Sequence, residues 1–204
     1  MLQTQVNDME CDEFDLIDTL FDTVTLEALR AEAYALMPKA ADHCLIEDQA
    51  DEWQGGTPAR CFRSVPGGDI QTAIFHSPGM VQFLAQWSGF RLKPSGERGS
   101  YSYYMRPGDH LALHRDVNSC EFVVITCLHD SGNRDDNFGV LCLYPSRTQE
   151  PISAIRANPD LGALPIHLNV GQSVVMRGGL IPHVLLPQQV TQTRIVSILC
   201  YQLS

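Results

Sequence analysis

The chain is short of basic residues: 14 Lys and Arg stand against 24 Asp and Glu, for a formal net charge of −10, and the 14 are scattered. Nucleic-acid binding needs cations clustered on one face, so a phosphate-backbone partner is not expected. No apolar run reaches membrane-spanning length. The first 22 residues, MLQTQVNDMECDEFDLIDTLFD, are acidic where a secretory signal has a basic start and an apolar core. These absences predict a cytoplasmic protein with no membrane partner. Among the seven cysteines (Cys11, Cys44, Cys61, Cys120, Cys127, Cys142 and Cys200) there is no C-x-x-C pair, and their number is odd. That pattern favours reduced thiols over a disulfide framework or a zinc ribbon. Cys127, Cys142 and Cys200 lie in apolar strand-like runs and are assigned to packing. The stretches VPGGD and RGGL lack the spacing of a phosphate-binding loop, and no Ser or Cys sits in a nucleophile setting.

What is present describes one domain, residues 1–204, with two parts. Residues 1–98 are read as helical support with short strands. TVTLEALRAEAYALMP sets Leu26, Leu29, Ala33 and Leu36 at helical spacing, with Thr25 as a candidate N-cap and Pro38 as a stop. SPGMVQFLAQWSG has Ser77 as N-cap, Pro78 at the first helical position and Gly89 as a C-terminal signal. Residues 99–204 are read as the catalytic core. Eight strand-like runs follow one another there, SYSYYMR, LALHRD, EFVVITCL, FGVLCLYP, LPIHLNV, QSVVMR, LIPHVLL and TRIVSILCYQ, most of them separated by Gly, Pro, Asn and Asp. FVVITCL is apolar on both faces and predicts a central covered strand, which outer helices would supply with cover. The predicted fold is mainly β with N-terminal helices: an eight-stranded jelly roll, or double-stranded β-helix. The interruption at residues 147–165 predicts a long loop or a short helix bordering the site.

The chemistry begins at LALHRDVNS. On a strand, residues two apart face the same way, so His114 and Asp116 converge. An imidazole and a carboxylate are two of the three ligands in the facial triad of non-haem Fe(II) sites. The motif alone is weak, because 7 His and 15 Asp in 204 residues give about 0.5 chance occurrences of His-x-Asp. A third ligand must come from a distant strand. His110 and His129 lie in loop-like polar settings, His43 and His76 near helix ends, and His167 has no basic partner downstream. His183 differs, since a hairpin turned near Gln188 and Gln189 would set it opposite Arg194. A 2-oxoacid chelating iron leaves a far carboxylate in need of a cation, and the guanidinium fork suits it. For each residue taken alone, a core His or an exposed hairpin Arg is the simpler reading; together they favour a metal site.

At this point the sequence resembles the Fe(II)/2-oxoglutarate-dependent oxygenases, most closely their prolyl-hydroxylase-type branch. YYMRPGDHLALHRD resembles the Tyr, Pro-Gly and His-x-Asp order of that branch, CEFVVITCLHD its next strand, and LNVGQSVVMRGGLIPHVLLPQQVTQTRIVSILCYQ its closing segment. The resemblance covers residues 99–203. It implies Fe(II), 2-oxoglutarate and O₂ as cofactor and cosubstrates, His114, Asp116 and His183 as iron ligands, and Arg194 on the far carboxylate. It also implies that Tyr104 bonds the same carboxylate, Tyr103 taking its place if the strand parity is shifted, and that Thr126 makes a further cosubstrate contact. There are departures: Arg194 lies further past the distal His than in the closest pattern, and CLHD replaces a frequent Tyr-Leu-Asn. A carboxylate at 116, where related halogenases carry Gly or Ala, implies hydroxylation or another oxidation.

With no peptide-repeat module or basic groove, the expected substrate is a small molecule, an amino acid or natural-product intermediate, with a peptidyl residue as the alternative. Arg177 lies an even offset of six before His183 and is the candidate for a substrate carboxylate, unless Gly178-Gly179 breaks the parity. Arg115, between the ligands, should point away by alternation, in a structural role or toward solvent. Outside this class, a cupin-like metal isomerase would not need Arg194, and a non-catalytic binding domain would not need the metal.

Overall fold

The structure, a computed structural model, describes residues 13–48, 52–132, 139–189 and 192–204. In chain order the elements are β1 (Phe14–Ile17), α1 (Thr23–Leu36), β2 (Ala41–Leu45), β3 (Arg60–Pro66), α2 (Asp69–Phe75), α3 (Pro78–Ser88) and β4 (Leu92–Pro94). There follow β5 (Ser100–Tyr104), β6 (His110–His114), β7 (Phe122–Asp130), β8 (Leu141–Leu143), α4 (Ile152–Ala157), β9 (Leu164–Ile166), β10 (Ser173–Met176), β11 (His183–Leu185) and β12 (Arg194–Leu203). All eight strands expected after residue 99 are present. The first half adds four more, among them the β2–β3 pair.

α3 begins and ends as its sequence predicts: Ser77 accepts from the Met80 N–H at 3.2 Å, and Gly89 closes the helix at φ +74°. α1 starts earlier than expected, because Asp22 rather than Thr25 is the cap, its carboxylate accepting from the Thr25 N–H at 2.7 Å. α2 was not expected at all. Its first turn has no local side-chain cap, and the cap comes from α1 instead: Glu32 accepts from the N–H groups of Ile70 and Gln71 at 2.7 and 3.0 Å. The loss of a helix cap costs about 1 kcal/mol, so this bond across elements helps decide whether residues 69–75 are helical. The interruption before β9 contains the short helix α4.

The strands form one antiparallel ladder in the order β1-β10-β7-β12-β5-β3-β6-β11-β8-β9, with β2 on β3 and β4 on β12. β3 is the corner of the roll: Arg63–Pro66 pair with β5, while Arg60 and Cys61 pair with β6. One half of the ladder carries the helices. β7 lies between β10 and β12, and its Phe122 and Val124 pack with Phe75, Met80 and Leu84 of α2 and α3. The opposite face of β7, with Val123 and Cys127, turns into the interior of the roll. The predicted cover for this central strand is therefore helical on one side. No helix among the described residues is long and apolar enough to cross a membrane.

Two further expectations fail. β11 and β12 form no hairpin: His183 pairs with His114 and Leu143, whereas Arg194 pairs with Tyr104 and Asp130. After β11 the chain stays with its own half of the roll, where Leu186 N–H donates to Val140 and Gln188 N–H to Asp109, each at 2.9 Å. β12, from Arg194, lies on the other half, between β5 and β7. The cysteines are also not all reduced, because Cys120 and Cys200 form a disulfide. Their Cα atoms are 4.6 Å apart, and the two elements that bring them together lie 80 residues apart in the chain. Spacing in sequence gives no sign of such a pair.

Candidate metal centre

His114 ends β6, and its direct cross-strand partner is His183 at the start of β11, so the antiparallel register itself places the two imidazoles side by side. Their ring centroids are 4.3 Å apart. Asp116 follows two residues after His114, just beyond the strand, and its N–H donates to Gly178 O at 2.8 Å. That bond folds the carboxylate back to the same point. Asp116 Oδ1 lies 3.5 Å from His114 Nε2 and 3.8 Å from His183 Nε2, and one ligand atom from each residue falls within 4.8 Å of the others.

Close approach requires glycine at two positions. A Cβ on Gly178 would stand 2.0 Å from Asp116 Oδ2, and Gly55, at φ +86°, packs against the His114 backbone and Cβ. Between the ligands, Arg115 points the other way. Its guanidinium donates to the carbonyls of Trp53, Leu180, Thr148 and Glu150 at 2.5–3.1 Å and stacks on the Trp53 ring. It ties the loops behind the ligands together, which fits the outward facing its parity predicts and decides for the structural of the two expected roles.

The donor set suits a divalent cation. Each imidazole donates from Nδ1 to a carbonyl two residues earlier, His114 to Ala112 at 2.8 Å and His183 to Ile181 at 2.9 Å. The protons therefore sit on Nδ1, and both Nε2 lone pairs face Asp116. Burial, with His114 adding to it, pushes the His183 pKa down to about 4, so its ring is neutral at pH 7. Burial also pushes the Asp116 carboxyl upward, but attraction to an imidazole that takes up a proton, His183 and then His114, outweighs it and holds the pKa below its usual value. Asp116 Oδ2 is buried with no hydrogen-bond partner among the described residues. Two neutral imidazoles and an ionised, under-bonded carboxylate at one point make a ligand set for Fe(II) or a similar ion.

A cavity of about 110 Å³ opens from this cluster into the roll. Its walls are apolar, with Val123, Ile125, Val196 and Ile198 among them, and Arg194, on the other half of the roll from the ligands, also lines it. Arg194 is 3% exposed. Its guanidinium donates to Gly139 O and lies 3.8 Å from Asp130, while its Nε is buried with no partner among the described residues. Tyr104, the direct β5 partner of Arg194, lines the same cavity, and burial raises its phenol pKa although Arg194 opposes the rise. Tyr103 faces the opposite way and donates to Ala33 O in the helical layer, so the parity selects Tyr104.

Two candidates lie elsewhere. Thr126 sits on the helix-side face of β7, its hydroxyl 2.8 Å from that of Ser173, and does not line the cavity. The residues of β7 that do are Val123 and Ile125, one position out of phase. Arg177 pairs with Glu121 at 3.2 Å and lies over the rings of Phe90 and Phe122. The turn at Gly178-Gly179, in which Leu180 and Ile181 N–H both donate to Arg177 O, breaks the strand that would have aimed it inward. The sequence reading missed the Cys120–Cys200 pair, which lines the cavity. The even spacing of Cys200 from Arg194 along β12 was the available signal for its facing.

No family model matches the sequence, and no curated protein matches it. Solved structures do match in fold. A Pseudomonas putida prolyl-4-hydroxylase superposes with a TM-score of 0.62 over 94% of this chain and 93% of its own, at 13% identity. The non-haem α-ketoglutarate-dependent epimerase SnoN from nogalamycin biosynthesis gives 0.69 over 94% and 77%, also at 13% identity. HygX from Streptomyces hygroscopicus, solved with nickel and 2-oxoglutarate, gives 0.67 over 96% and 84% at 12%. The chain thus has the double-stranded β-helix fold of these proteins.

Proposed function

We propose that this protein is an Fe(II)/2-oxoglutarate-dependent oxygenase that hydroxylates a C–H bond of a small molecule. The observation that carries the reading is one cavity with an imidazole–carboxylate–imidazole cluster on its wall and a buried, under-bonded guanidinium at its end. A cupin-like isomerase has no use for that cation. A binding domain without metal has no use for two imidazole lone pairs aimed at a carboxylate.

In this reading His114, Asp116 and His183 hold the iron. With 2-oxoglutarate and O₂ the bound iron supplies a strong oxidant, the cosubstrate leaving as succinate and CO₂. Arg194 receives the far carboxylate of 2-oxoglutarate through the N–H that has no partner among the described residues, and the Tyr104 hydroxyl, kept protonated by burial, donates to the same group. Val123, Ile125, Val196 and Ile198 keep water from the reacting centre. The Nδ1–carbonyl bonds hold both imidazoles in the tautomer that can ligate and keep protons off the metal-facing nitrogens. The ionised Asp116 lowers the net charge of the bound cation. Two of the similar folds belong to proteins of different reactions, a prolyl-4-hydroxylase and an epimerase; the apolar lining beside the metal ligands supports a small, largely apolar substrate for this one.

The test is an anaerobic titration of the metal-free protein with Fe(II) and then 2-oxoglutarate, following the weak visible band of a chelated 2-oxoacid. The band is expected in the wild type and absent in His114→Ala. Iron binding with no band would overturn the 2-oxoglutarate reading, and no iron binding would overturn the metal centre itself.

A further inference from the structure

The cavity does not end at the metal ligands. Alternate residues of β12 line it from Arg194 through Val196 and Ile198 to Cys200, a run of about 20 Å at the rise of a strand. A five-carbon diacid held by Arg194 fills only the inner part. At the outer end Cys120, Ile198 and Cys200 also line a second pocket of about 300 Å³, nearly three times the inner volume of about 110 Å³. Sites that enclose drug-sized ligands have volumes of roughly 300–1,000 Å³. The inner cavity is thus the size for the cosubstrate, and the outer one for a substrate.

The position of the outer pocket supports this division. One wall is the turn carrying Val117, Ser119 and Cys120, which follows directly on the ligand Asp116. Arg98 and Gly99, leading into β5, and Ser100, its first residue, line the pocket as well. The two cavities share Cys120, Ile198 and Cys200, so a molecule in the outer one lies against residues that also line the cavity of the metal ligands. Arg98 is exposed, and one N–H of its guanidinium donates to Gly67 O at 3.0 Å. No carboxylate among the described residues pairs with it, although the chain carries a net charge of −10. A guanidinium has five N–H donors, so most of its capacity is left for a ligand.

We propose that the substrate is a small molecule with an apolar body and a carboxylate. Arg98 holds the carboxylate, with the hydroxyls of Ser100 and Ser119 beside it. The apolar body lies against Val117, Ile198 and the disulfide, and its far end presents the C–H bond to the metal centre. The channel then has a cation at each end, Arg194 for the cosubstrate and Arg98 for the substrate. This assignment rests on the oxygenase reading.

Octanoate and octanamide, which share an apolar chain and differ in charge, are the probes. Their binding is measured by calorimetry to protein loaded with Ni(II) and 2-oxoglutarate, for wild type, Arg98→Ala and Arg98→Lys. Octanoate is expected to bind at least about ten-fold more tightly than octanamide, and Arg98→Ala to remove that preference while octanamide affinity stays level. Arg98→Lys should retain most of it, because charge at an exposed rim matters more than the fork. Equal binding of acid and amide, no binding of either, or an unchanged preference in Arg98→Ala would each overturn the proposal. The anaerobic Fe(II)/2-oxoglutarate band is recorded alongside. A wild type without the band but with Arg98-dependent octanoate binding would sink the oxygenase reading and leave the outer site standing.

Discussion

Arg194 offers the sharpest test, because the structure predicts opposite results with and without cosubstrate. The side chain is almost fully buried and incompletely bonded: one N–H reaches Gly139 O, Asp130 is 3.8 Å away, and Nε has no partner among the described residues. A buried charge this poorly paired adds little to stability, and replacing such groups with apolar side chains of similar size is commonly neutral or stabilising. Arg194→Met should therefore leave the ligand-free protein within about 1 kcal/mol of wild type, the lost bond to Gly139 being offset by removal of an under-solvated cation. The cost appears when 2-oxoglutarate binds. Removing one partner of a buried charge pair costs about 2–5 kcal/mol, and a value of about 3 kcal/mol raises Kd about 150-fold. At a concentration 100 times the wild-type Kd, the cosubstrate stabilises wild type by about 2.7 kcal/mol and the variant by about 0.3 kcal/mol. Urea denaturation of the Ni(II)-loaded proteins, with and without 2-oxoglutarate, reads both quantities. If Arg194→Met destabilises the ligand-free protein by 3 kcal/mol or more yet keeps the full response to 2-oxoglutarate, Arg194 is a structural group and the reasoning is wrong.

Three other outcomes follow from the site. Gly178→Ala places a Cβ 2.0 Å from Asp116 Oδ2 and should weaken Fe(II) binding about 10- to 100-fold. Gly179→Ala, whose nearest neighbour would be 3.4 Å away, should bind as wild type does; equal affinities in calorimetric titrations of the two variants would remove the positioning role given to Gly178. Reduction of the Cys120–Cys200 disulfide frees a loop of 80 residues, worth up to about 4–5 kcal/mol by chain entropy. Dithiothreitol should lower Tm by about 10 °C in the wild type and leave Cys120→Ser/Cys200→Ser unchanged, whereas a shift shared by both proteins would show that the bridge is not responsible. The His183 imidazole has a pKa of about 4 when folded and 6.5 as the ordinary value. Between those values the unfolded chain takes up a proton that the folded one does not, so the metal-free protein loses stability as pH falls, by about 3 kcal/mol at pH 4. Stability measured by denaturant from pH 7 to 4 should show this slope in wild type and a shallower one in His183→Gln; parallel curves would mean that burial does not hold the ring neutral.

Local chemistry alone was enough for the elements. Ser77, Pro78 and Gly89 delimit α3 because caps and fixed φ values act within a few residues, and the eight strands after residue 99 are legible because period-two alternation and turn residues are also local. The same alternation brings His114 and Asp116 to one side and sends Arg115 to the other. Facing depends on phase, which is where the reading of Thr126 failed: β7 is apolar on both faces, so its sequence does not say which one meets the interior. Other features belong to the tertiary structure. Glu32 caps α2 from another helix, the Gly178-Gly179 turn diverts Arg177 to Glu121, and Cys120 meets Cys200 only when β12 lies against the turn after Asp116. Arg194 illustrates the difference. Sequence reasoning brought it to His183 through a hairpin, but it stands on the other half of the roll and reaches the same cavity from across the interior. A sequence records neighbours along the chain, whereas an active site is assembled from faces that meet when a ladder curls, and the curl depends on which strands pair.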